Sequence, residues 1–167
     1  IDGAYRHAID RLDAAPGVTL GAVFGPQHGF RSDLQDNMIE TAHAKDDTRR
    51  VPIHSLYSET REPTAEMLAG LDAIVVDLQD IGARIYTYIY TMANCLAACR
   101  KHGVKAIVCD RPNPIGGLDV EGPMLVHGFE SFVGQYPIPM RHGMTIGELA
   151  RLFNDHFGIG ADLEVVP

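Results

Sequence analysis

The stretch that decides the fold is residues 73–109, which read AIVVDLQDIGARIYTYIYTMANCLAACRKHGVKAIVC. It opens at 73–77 with a short β-branched run, typical of a buried strand, and closes with a second apolar run at 106–109. Between these runs, apolar side chains recur at helical spacing from Ile85 until Gly103, which supplies the helix stop. The stretch therefore predicts a strand, a helix and a strand, the unit from which parallel sheets are built.

Further strands and helices are predicted on both sides of this unit. Apolar runs predict strands at 18–24, 51–57 and 163–166, and apolar periodicity with start or stop signals predicts helices at 5–14, 63–68 and 145–157. Thr145 and Glu148 have the spacing of a capping box, and Pro63 suits a first helical position. The alternation of strands and helices indicates an α/β domain with a mostly parallel sheet.

Two long segments do not fit this alternation. Residues 25–50 are polar and too long for an ordinary connection, so we expect them to be functional. Residues 111–144 are rich in proline but also carry Phe129, Phe132 and Tyr136. We therefore expect an irregular segment that packs on the domain through these aromatic rings.

Composition excludes several classes of protein. The chain has 167 residues, 46% of them hydrophobic, and its formal net charge of −8 disfavours nucleic acid as the main partner. No apolar run approaches the roughly 18 residues of a membrane span, and residues 1–12 do not resemble a signal peptide. The three cysteines, Cys95, Cys99 and Cys109, lie inside apolar runs, which predicts buried thiols and not a disulfide framework or a zinc site.

Polar segments follow four of the predicted strands, at 25–31, 57–61, 77–84 and 110–114. In an open parallel sheet, ligands bind where the carboxyl ends of the strands open onto loops. The sequence therefore predicts that these four segments meet along one rim of the sheet and form a common pocket.

Four arginines lie in these segments: Arg31, Arg61, Arg84 and Arg111. Such a cluster suits a ligand that carries a carboxylate or a phosphate, because the guanidinium group binds either one with two hydrogen bonds. The alternative is that each arginine pairs with a nearby acidic residue to hold the loops, and Arg111 beside Asp110 is the clearest case.

Proton-handling candidates lie in these segments and at one position outside them, His142. His28 stands between two glycines, a context that lets it project into a cleft, and His142 before Gly143 is a second candidate. Among the carboxylates, Asp80 is favoured as a catalytic group, whereas Asp77 and Asp110 end strands directly and are equally suited to capping loop amides.

Several standard sites are absent from the sequence. It contains no GxxxxGK[ST] phosphate loop, no GxGxxG after a strand, no GxSxG elbow and no HExxH. No two histidines and no two aspartates have the i, i+4 spacing of metal ligands on a helix. We therefore predict no cofactor and no metal, and phosphate or nucleotide binding at the sheet edge is a weaker hypothesis motivated only by the fold.

Six segments of the chain resemble the DUF1343 family, whose characterised members are exo-β-N-acetylmuramidases of the NamZ type. They are GPQHGFRSDLQDNMIE at 25–40, SLYSETREPTAEML at 55–68, VVDLQDIGARIYTYIYTM at 75–92, DRPNPIGG at 110–117, VEGPML at 120–125 and SFVGQYPIPMRHGMTIGELARLFN at 131–154. The resemblance implies a Rossmann-like, three-layer N-terminal domain over residues 1–167, followed in the family by a smaller C-terminal domain. On that comparison the chain is a fragment of a longer two-domain protein.

The resemblance also implies an activity, the removal of terminal N-acetylmuramic acid from peptidoglycan fragments in cell-wall turnover and recycling. One position departs from the family motif Gly-Pro-Glu-His-Gly, whose glutamate is the favoured catalytic residue, because here it is Gln27. An amide cannot exchange a proton near neutral pH. Three explanations remain open: the acid comes from elsewhere, the protein binds the sugar without cleaving it, or it acts on another substrate.

The site that we predict combines both lines of argument. The proton-handling candidates are His28, Asp80 and Glu40, and the candidates for substrate binding are Gln27, Arg31, Arg84, Arg111, Asn113 and His142. The predicted partner is a saccharide or muropeptide substrate, and the alternative is a non-catalytic carbohydrate-binding or regulatory relative. The compartment is left open between the bacterial cytoplasm and the periplasm or exterior, and the oligomeric state is also open.

Overall fold

The computed structural model of the protein describes residues 6–30, 40 and 42–167. The chain divides into two compact units, Ile1–Thr60 and Arg61–Pro167, which we call unit 1 and unit 2. Helices and strands alternate along the chain, which confirms the predicted α/β class. The assignment of residues 1–167 to one domain stays a prediction.

Unit 1 contains a three-stranded sheet and one short helix. Its elements are α1 (Ala8–Asp13), β1 (Val23–Gly25), β2 (Ala44–Asp46) and β3 (Val51–Ser55). β3 is the central strand, with β1 parallel and β2 antiparallel to it. The carboxyl ends of β1 and β3 are aligned, because Gly25 pairs with Ser55 and the main-chain amide of Leu56 donates to the carbonyl of Gly25 over 2.8 Å.

The structure corrects two sequence predictions in unit 1. The strand predicted at 18–24 begins only at Val23, the first residue that has a partner on β3, and Val18 is exposed. β2 lies within the polar stretch 25–50, where we predicted no strand. Two of its three residues are exposed, so it has no alternation of apolar and polar side chains that would reveal it.

Unit 2 is built on a parallel sheet. Its elements are α2 (Ala65–Leu68), β4 (Ala73–Val76), α3 (Tyr88–His102), β5 (Lys105–Cys109), α4 (Ile146–Arg151), a π-helical turn (Leu152–His156) and β6 (Leu163–Val166). The strand order is β4-β5-β6, and both pairs are parallel, as predicted. α3 packs on β4 and β5, and α4 packs on α3, β5 and β6.

Helix α3 forms much of the apolar core of unit 2. Its fully or nearly fully buried side chains are Ile89, Tyr90, Met92, Ala93, Cys95, Leu96, Ala98 and Cys99. The helix ends at Gly103 as predicted, but it begins at Tyr88 and not at Ile85, which is 55% exposed. The preceding residues form a turn instead, in which the amide of Tyr86 donates to the carbonyl of Ala83 over 3.0 Å, and the amide of Arg84 donates to the carbonyl of Met140 over 2.8 Å.

The two other helices of unit 2 begin at side-chain caps. The capping box of Thr145 and Glu148 is present at the start of α4, which confirms that prediction. α2 begins after Thr64, whose hydroxyl accepts from the amide of Met67 over 3.3 Å, so Pro63 precedes the helix instead of opening it.

The segment 111–144 is irregular, as predicted, and isolated bridges join Arg141 to Ala83 and to Glu121. Tyr136 stacks on Phe153 with ring centroids 4.3 Å apart, and Phe132 lies beneath the guanidinium of Arg61 at 5.6 Å. Phe129, in contrast, is 76% exposed, so its predicted packing role is wrong.

Candidate active site

The turn after β1 carries two of the predicted site residues. Gln27 is buried, and His28 adopts a backbone φ of 73°, in the left-handed region that side chains other than glycine rarely occupy. The turn is closed by a hydrogen bond of 3.0 Å from the amide of Gly29 to the carbonyl of Pro26. Residues held in such conformations are concentrated at functional sites, which favours the role predicted for His28.

Two other predicted residues follow this turn in the chain. Glu40 is exposed to solvent. Arg31 lies outside the described residues, and its role stays a prediction.

The ends of β4 and β5 bring two predicted polar segments together. Val76 pairs with Val108, and the next residues place the side chain of Arg111 against that of Asp77. The Nε of Arg111 donates to Asp77 Oδ1 over 2.9 Å, and its Nη2 contacts the same oxygen. Arg111 thus forms an ion pair with an acidic residue, as the alternative had it, but the partner is Asp77 and not Asp110. The only group of Arg111 that donates to Asp110 is its main-chain amide.

Asp110 caps the start of α4. Its Oδ1 accepts from the amide of Gly147 over 2.8 Å, and its Oδ2 accepts from the hydroxyl of Thr145 over 3.0 Å. The approach is so close that a Cβ at position 147 would lie 2.6 Å from Asp110 Cγ. The capping alternative for Asp110 is therefore confirmed.

Arg84 anchors the irregular segment. It is buried, and its Nη1 donates to the carbonyls of Pro123 and Ile138, each over 2.7 Å. Its own carbonyl accepts from the hydroxyl of Tyr90 on α3 over 2.8 Å. The side chain thus satisfies main-chain groups of the protein, which neither sequence alternative anticipated, and a contact with a ligand stays a prediction.

Asp80 and His142 lie against each other in the interior of unit 2. Asp80 Oδ2 accepts from the amide of Gly82 over 2.8 Å and lies 3.1 Å from His142 Nε2. The two side chains are 3% and 0% exposed. His142 Nδ1 accepts from the amide of Met144 over 3.2 Å, so the proton of the neutral ring is assigned to Nε2, on the side of the carboxylate.

Asn113 joins the same group of segments. Its Nδ2 donates to the carbonyl of Met144 over 3.0 Å, and its Oδ1 accepts from the amide of Ile115 over 3.1 Å. Gly82 approaches so closely that a Cβ there would lie 2.5 Å from Asn113 Oδ1. Three segments therefore lie in close contact with one another: 80–84, 111–115 and 140–145. The sequence predicted such contact for the first two, which follow strands, but not for the third.

Two tyrosines near Asp80 stay protonated. Burial raises the pKa of Tyr86 to about 12, with further contributions from Tyr88 and the carboxylate of Asp80. Burial likewise raises the pKa of Tyr90 to about 12. Tyr88 is buried, and its ring centroid lies 4.8 Å from that of Tyr86.

Metal sites and membrane-spanning helices are not found in the part of the chain that the structure describes. Within residues 6–30, 40 and 42–167, no group of three or more His, Cys, Asp or Glu side chains is arranged to hold a metal ion. None of the helices in these ranges is long and apolar enough to cross a membrane.

Comparison with known proteins identifies relatives along the whole chain. The family model described as "Exo-beta-N-acetylmuramidase NamZ, N-terminal" matches residues 1–167. The protein named peptidoglycan beta-N-acetylmuramidase NamZ of Bacillus subtilis (strain 168) is 49% identical over 166 residues, which are 99% of this chain and 40% of that protein.

Two crystal structures of DUF1343 family proteins from Bacteroides fragilis NCTC 9343 have the same fold. One has a TM-score of 0.90 at 43% identity, and the other a TM-score of 0.82 at 35% identity. Both matches cover 100% of this chain, which spans 42% and 43% of the two crystallised chains. The chain thus spans well under half the length of the relatives that it matches.

Proposed function

Because this chain belongs to the family of NamZ N-terminal domains, we propose that it is part of a glycoside hydrolase that removes terminal N-acetylmuramic acid from peptidoglycan fragments. The observation that carries the proposal is the 49% identity to a peptidoglycan β-N-acetylmuramidase along 99% of the chain. Since the chain spans 40% of that relative, the proposed activity belongs to the whole protein that contains these residues.

The chemistry of the substrate suits the predicted residues. N-acetylmuramic acid carries a lactyl carboxylate, for which an arginine is a suitable receptor. Its 2-acetamido group can assist departure of the leaving group, so one protein acid can suffice. Gln27 cannot supply that acid, which leaves Glu40, His28 and Asp80.

Exposure separates these three candidates. Glu40 is exposed and His28 is partly exposed, whereas the Asp80 side chain is 3% exposed. A general acid must come within hydrogen-bonding reach of the glycosidic oxygen. We propose Glu40 and His28 as the proton-handling groups, because solvent reaches both residues, whereas it hardly reaches Asp80.

The test is an assay of the protein that contains this chain. Chromatography would follow release of N-acetylmuramic acid from MurNAc-GlcNAc and from a chromogenic muramide across a broad pH range. We expect release by the wild-type protein and loss of most of it in Glu40→Gln or His28→Asn. Glu66→Gln, at an exposed glutamate of α2 outside the four predicted segments, is the matched control and should keep its activity. Absence of release at every pH would refute the proposal.

The second candidate function is a carbohydrate-binding relative that has lost its acid, and the amide at Gln27 favours it. Gln27→Glu discriminates between the two functions. Hydrolysis gained only in this variant would support a binding protein derived from an enzyme. Robust turnover by the wild-type protein would eliminate the binding-only function.

A further inference from the structure

Three buried polar atoms in unit 2 lack a hydrogen-bonding partner in the part of the chain that the structure describes: Asp80 Oδ1, Arg141 Nε and His142 Nε2. Two of them belong to side chains that face each other, those of Asp80 and His142. Although Nε2 lies 3.1 Å from the other carboxylate oxygen, the N–H group is not directed at it well enough to form a hydrogen bond. A buried polar atom without a partner lowers the free energy of unfolding by about 1–3 kcal/mol, so such atoms are rare in folded proteins. Their presence therefore points to a functional role.

Asp80 and His142 bring two distant parts of the chain into contact. Asp80 belongs to the segment after β4, where its second oxygen holds the amide of Gly82. His142 belongs to the returning end of the irregular segment, where its Nδ1 holds the amide of Met144, next to the N-cap of α4. His142 therefore fixes its own backbone with Nδ1 and faces Asp80 with Nε2, whereas a single oxygen of Asp80, Oδ2, both holds the amide of Gly82 and lies against His142.

Neighbouring contacts connect the pair to the predicted binding residues. The amide of His142 donates to the carbonyl of Gly82 over 3.4 Å, and the amide of Arg84 donates to the carbonyl of Met140. Asn113 binds the carbonyl of Met144. A shift between the two segments would therefore displace Arg84 and Asn113 together.

We propose that Asp80 and His142 are positioning residues for the hydrolysis proposed above, an inference that rests on that function. Both side chains are almost fully buried, so neither touches the sugar. Their contact sets the placement of 80–84 against 140–144, and through it the placement of Arg84 and Asn113. A substitution far from the reacting atoms that displaces a binding group by about 1 Å can lower the rate about 100-fold.

Variants that mimic one ring nitrogen at a time test this proposal. In His142→Gln the amide nitrogen replaces Nε2 and retains a donor toward Asp80, whereas His142→Asn replaces only Nδ1 and retains the bond from Met144. Asp80→Asn keeps an acceptor for Gly82 but removes the charge. We expect His142→Asn and Asp80→Asn to lower kcat about 10- to 100-fold with a smaller change in KM, and His142→Gln to restore most of kcat.

The double variant Asp80→Asn/His142→Asn tests whether the two residues act as one unit. We expect its kcat to equal that of the worse single variant, because the second change has no contact left to remove. His127→Gln, at an exposed histidine of the segment 111–144, and Asp72→Asn, at an exposed aspartate, are matched controls and should keep wild-type kcat.

Three results would overturn the proposal. One is recovery of kcat in His142→Asn but not in His142→Gln, which would assign the role to the Met144 contact alone. Another is a lowered melting temperature in every variant with kcat unchanged, which would make the pair purely structural. The third is full additivity in the double variant. If the wild-type protein releases no sugar, the proposed function fails and the positioning role falls with it, whereas non-additive unfolding free energies would still establish the contact itself.

Discussion

His28 has a backbone conformation that its side chain does not favour. A φ of 73° costs a residue other than glycine about 1–2 kcal/mol, and asparagine tolerates it better than a β-branched residue does. The turn between β1 and the following residues keeps this conformation although a glycine would adopt it more easily. The turn therefore carries an imidazole at position 28 in spite of this backbone cost.

We predict that His28→Asn folds with nearly wild-type stability, whereas His28→Val loses about 1–2 kcal/mol more. Urea unfolding of both variants measures the difference directly. Equal stabilities of the two variants would show that the turn relaxes on substitution and holds no strained residue. Both variants should lose hydrolysis, since neither carries an imidazole.

Gly147 marks a close approach between the start of α4 and the end of β5. A methyl group there would lie 2.6 Å from Asp110 Cγ and 2.6 Å from Val165 Cγ1. We predict that Gly147→Ala destabilises the protein by about 1–3 kcal/mol in denaturant unfolding, although alanine is the better helix former. Gly134→Ala is the control, because its new Cβ would lie 3.4 Å from Leu125 and should change stability by less than about 0.5 kcal/mol.

At this scale the sequence identified many of the relevant residues but not what they contact. Asp110, Arg84 and Arg111 all lie in segments that follow strands, as predicted, yet they bind a helix start, two loop carbonyls and Asp77. An arginine on a polar segment suits a ligand or a carbonyl equally well. Only the path of residues 111–144, which has no periodic pattern, decides between these partners.

At the scale of elements, burial on β3 lowers the pKa of one histidine, His54. His54 lies on β3, 5.5 Å from the ring of Phe24 and 5.8 Å from that of His43. Burial lowers the pKa of His54 below its ordinary value of 6.5, and the neighbouring His43 lowers it further. The folded state therefore favours the neutral ring.

We predict that this histidine makes unit 1 less stable in mild acid. The unfolded chain binds a proton near pH 6.5, before the folded chain does, so the free energy of unfolding falls as the pH drops below about 6.5 toward the lower folded-state pKa. His54→Gln should reduce that dependence in urea unfolding at pH 7.5, 6.5 and 5.5. His127→Gln, an exposed histidine, should leave it as in the wild-type protein. An identical slope in His54→Gln and wild type would contradict the assignment.

The elements also differ in how well the sequence predicted them. β4, α3 and β5 were predicted within a few residues, because α3 packs on β4 and β5 and buries one apolar side chain after another. β2 was missed because it is largely exposed. The start of α3 was misplaced because a tertiary hydrogen bond to Met140 holds the preceding backbone, which no local pattern encodes.

At the scale of the whole chain, the predicted family is confirmed. Of the predicted common rim, the structure shows the alignment of neighbouring strand ends within each unit. The ends of β1 and β3 are aligned in unit 1, and those of β4 and β5 in unit 2. The convergence of all four segments stays a prediction. Family recognition succeeded because six ordered segments are specific even where the contacts of single residues are not.

The segment 115–133 of unit 2 displays an unusual number of apolar side chains to solvent. The exposed residues are Ile115, Leu118, Val120, Met124, Val126, Phe129 and Val133. Leu118 is 98% exposed and Phe129 is 76% exposed. The segment is nevertheless anchored, since Arg84 binds the carbonyl of Pro123 and Arg141 pairs with Glu121 over 3.1 Å. Exposed apolar side chains on an anchored segment favour association.

We predict that residues 1–167 self-associate and bind a hydrophobic dye through this segment, and that Leu118→Ser combined with Phe129→Ser suppresses both. The free energy of unfolding should stay within about 0.5 kcal/mol of the wild-type value, because these side chains have little burial to lose. Sedimentation velocity at several concentrations and dye fluorescence measure the two effects. Ile81→Ser combined with Ile85→Ser, at exposed apolar residues outside the segment, is the matched control. If the control suppresses association as strongly, or if association persists in the Leu118 and Phe129 variant, then exposed apolar surface elsewhere on the protein drives it.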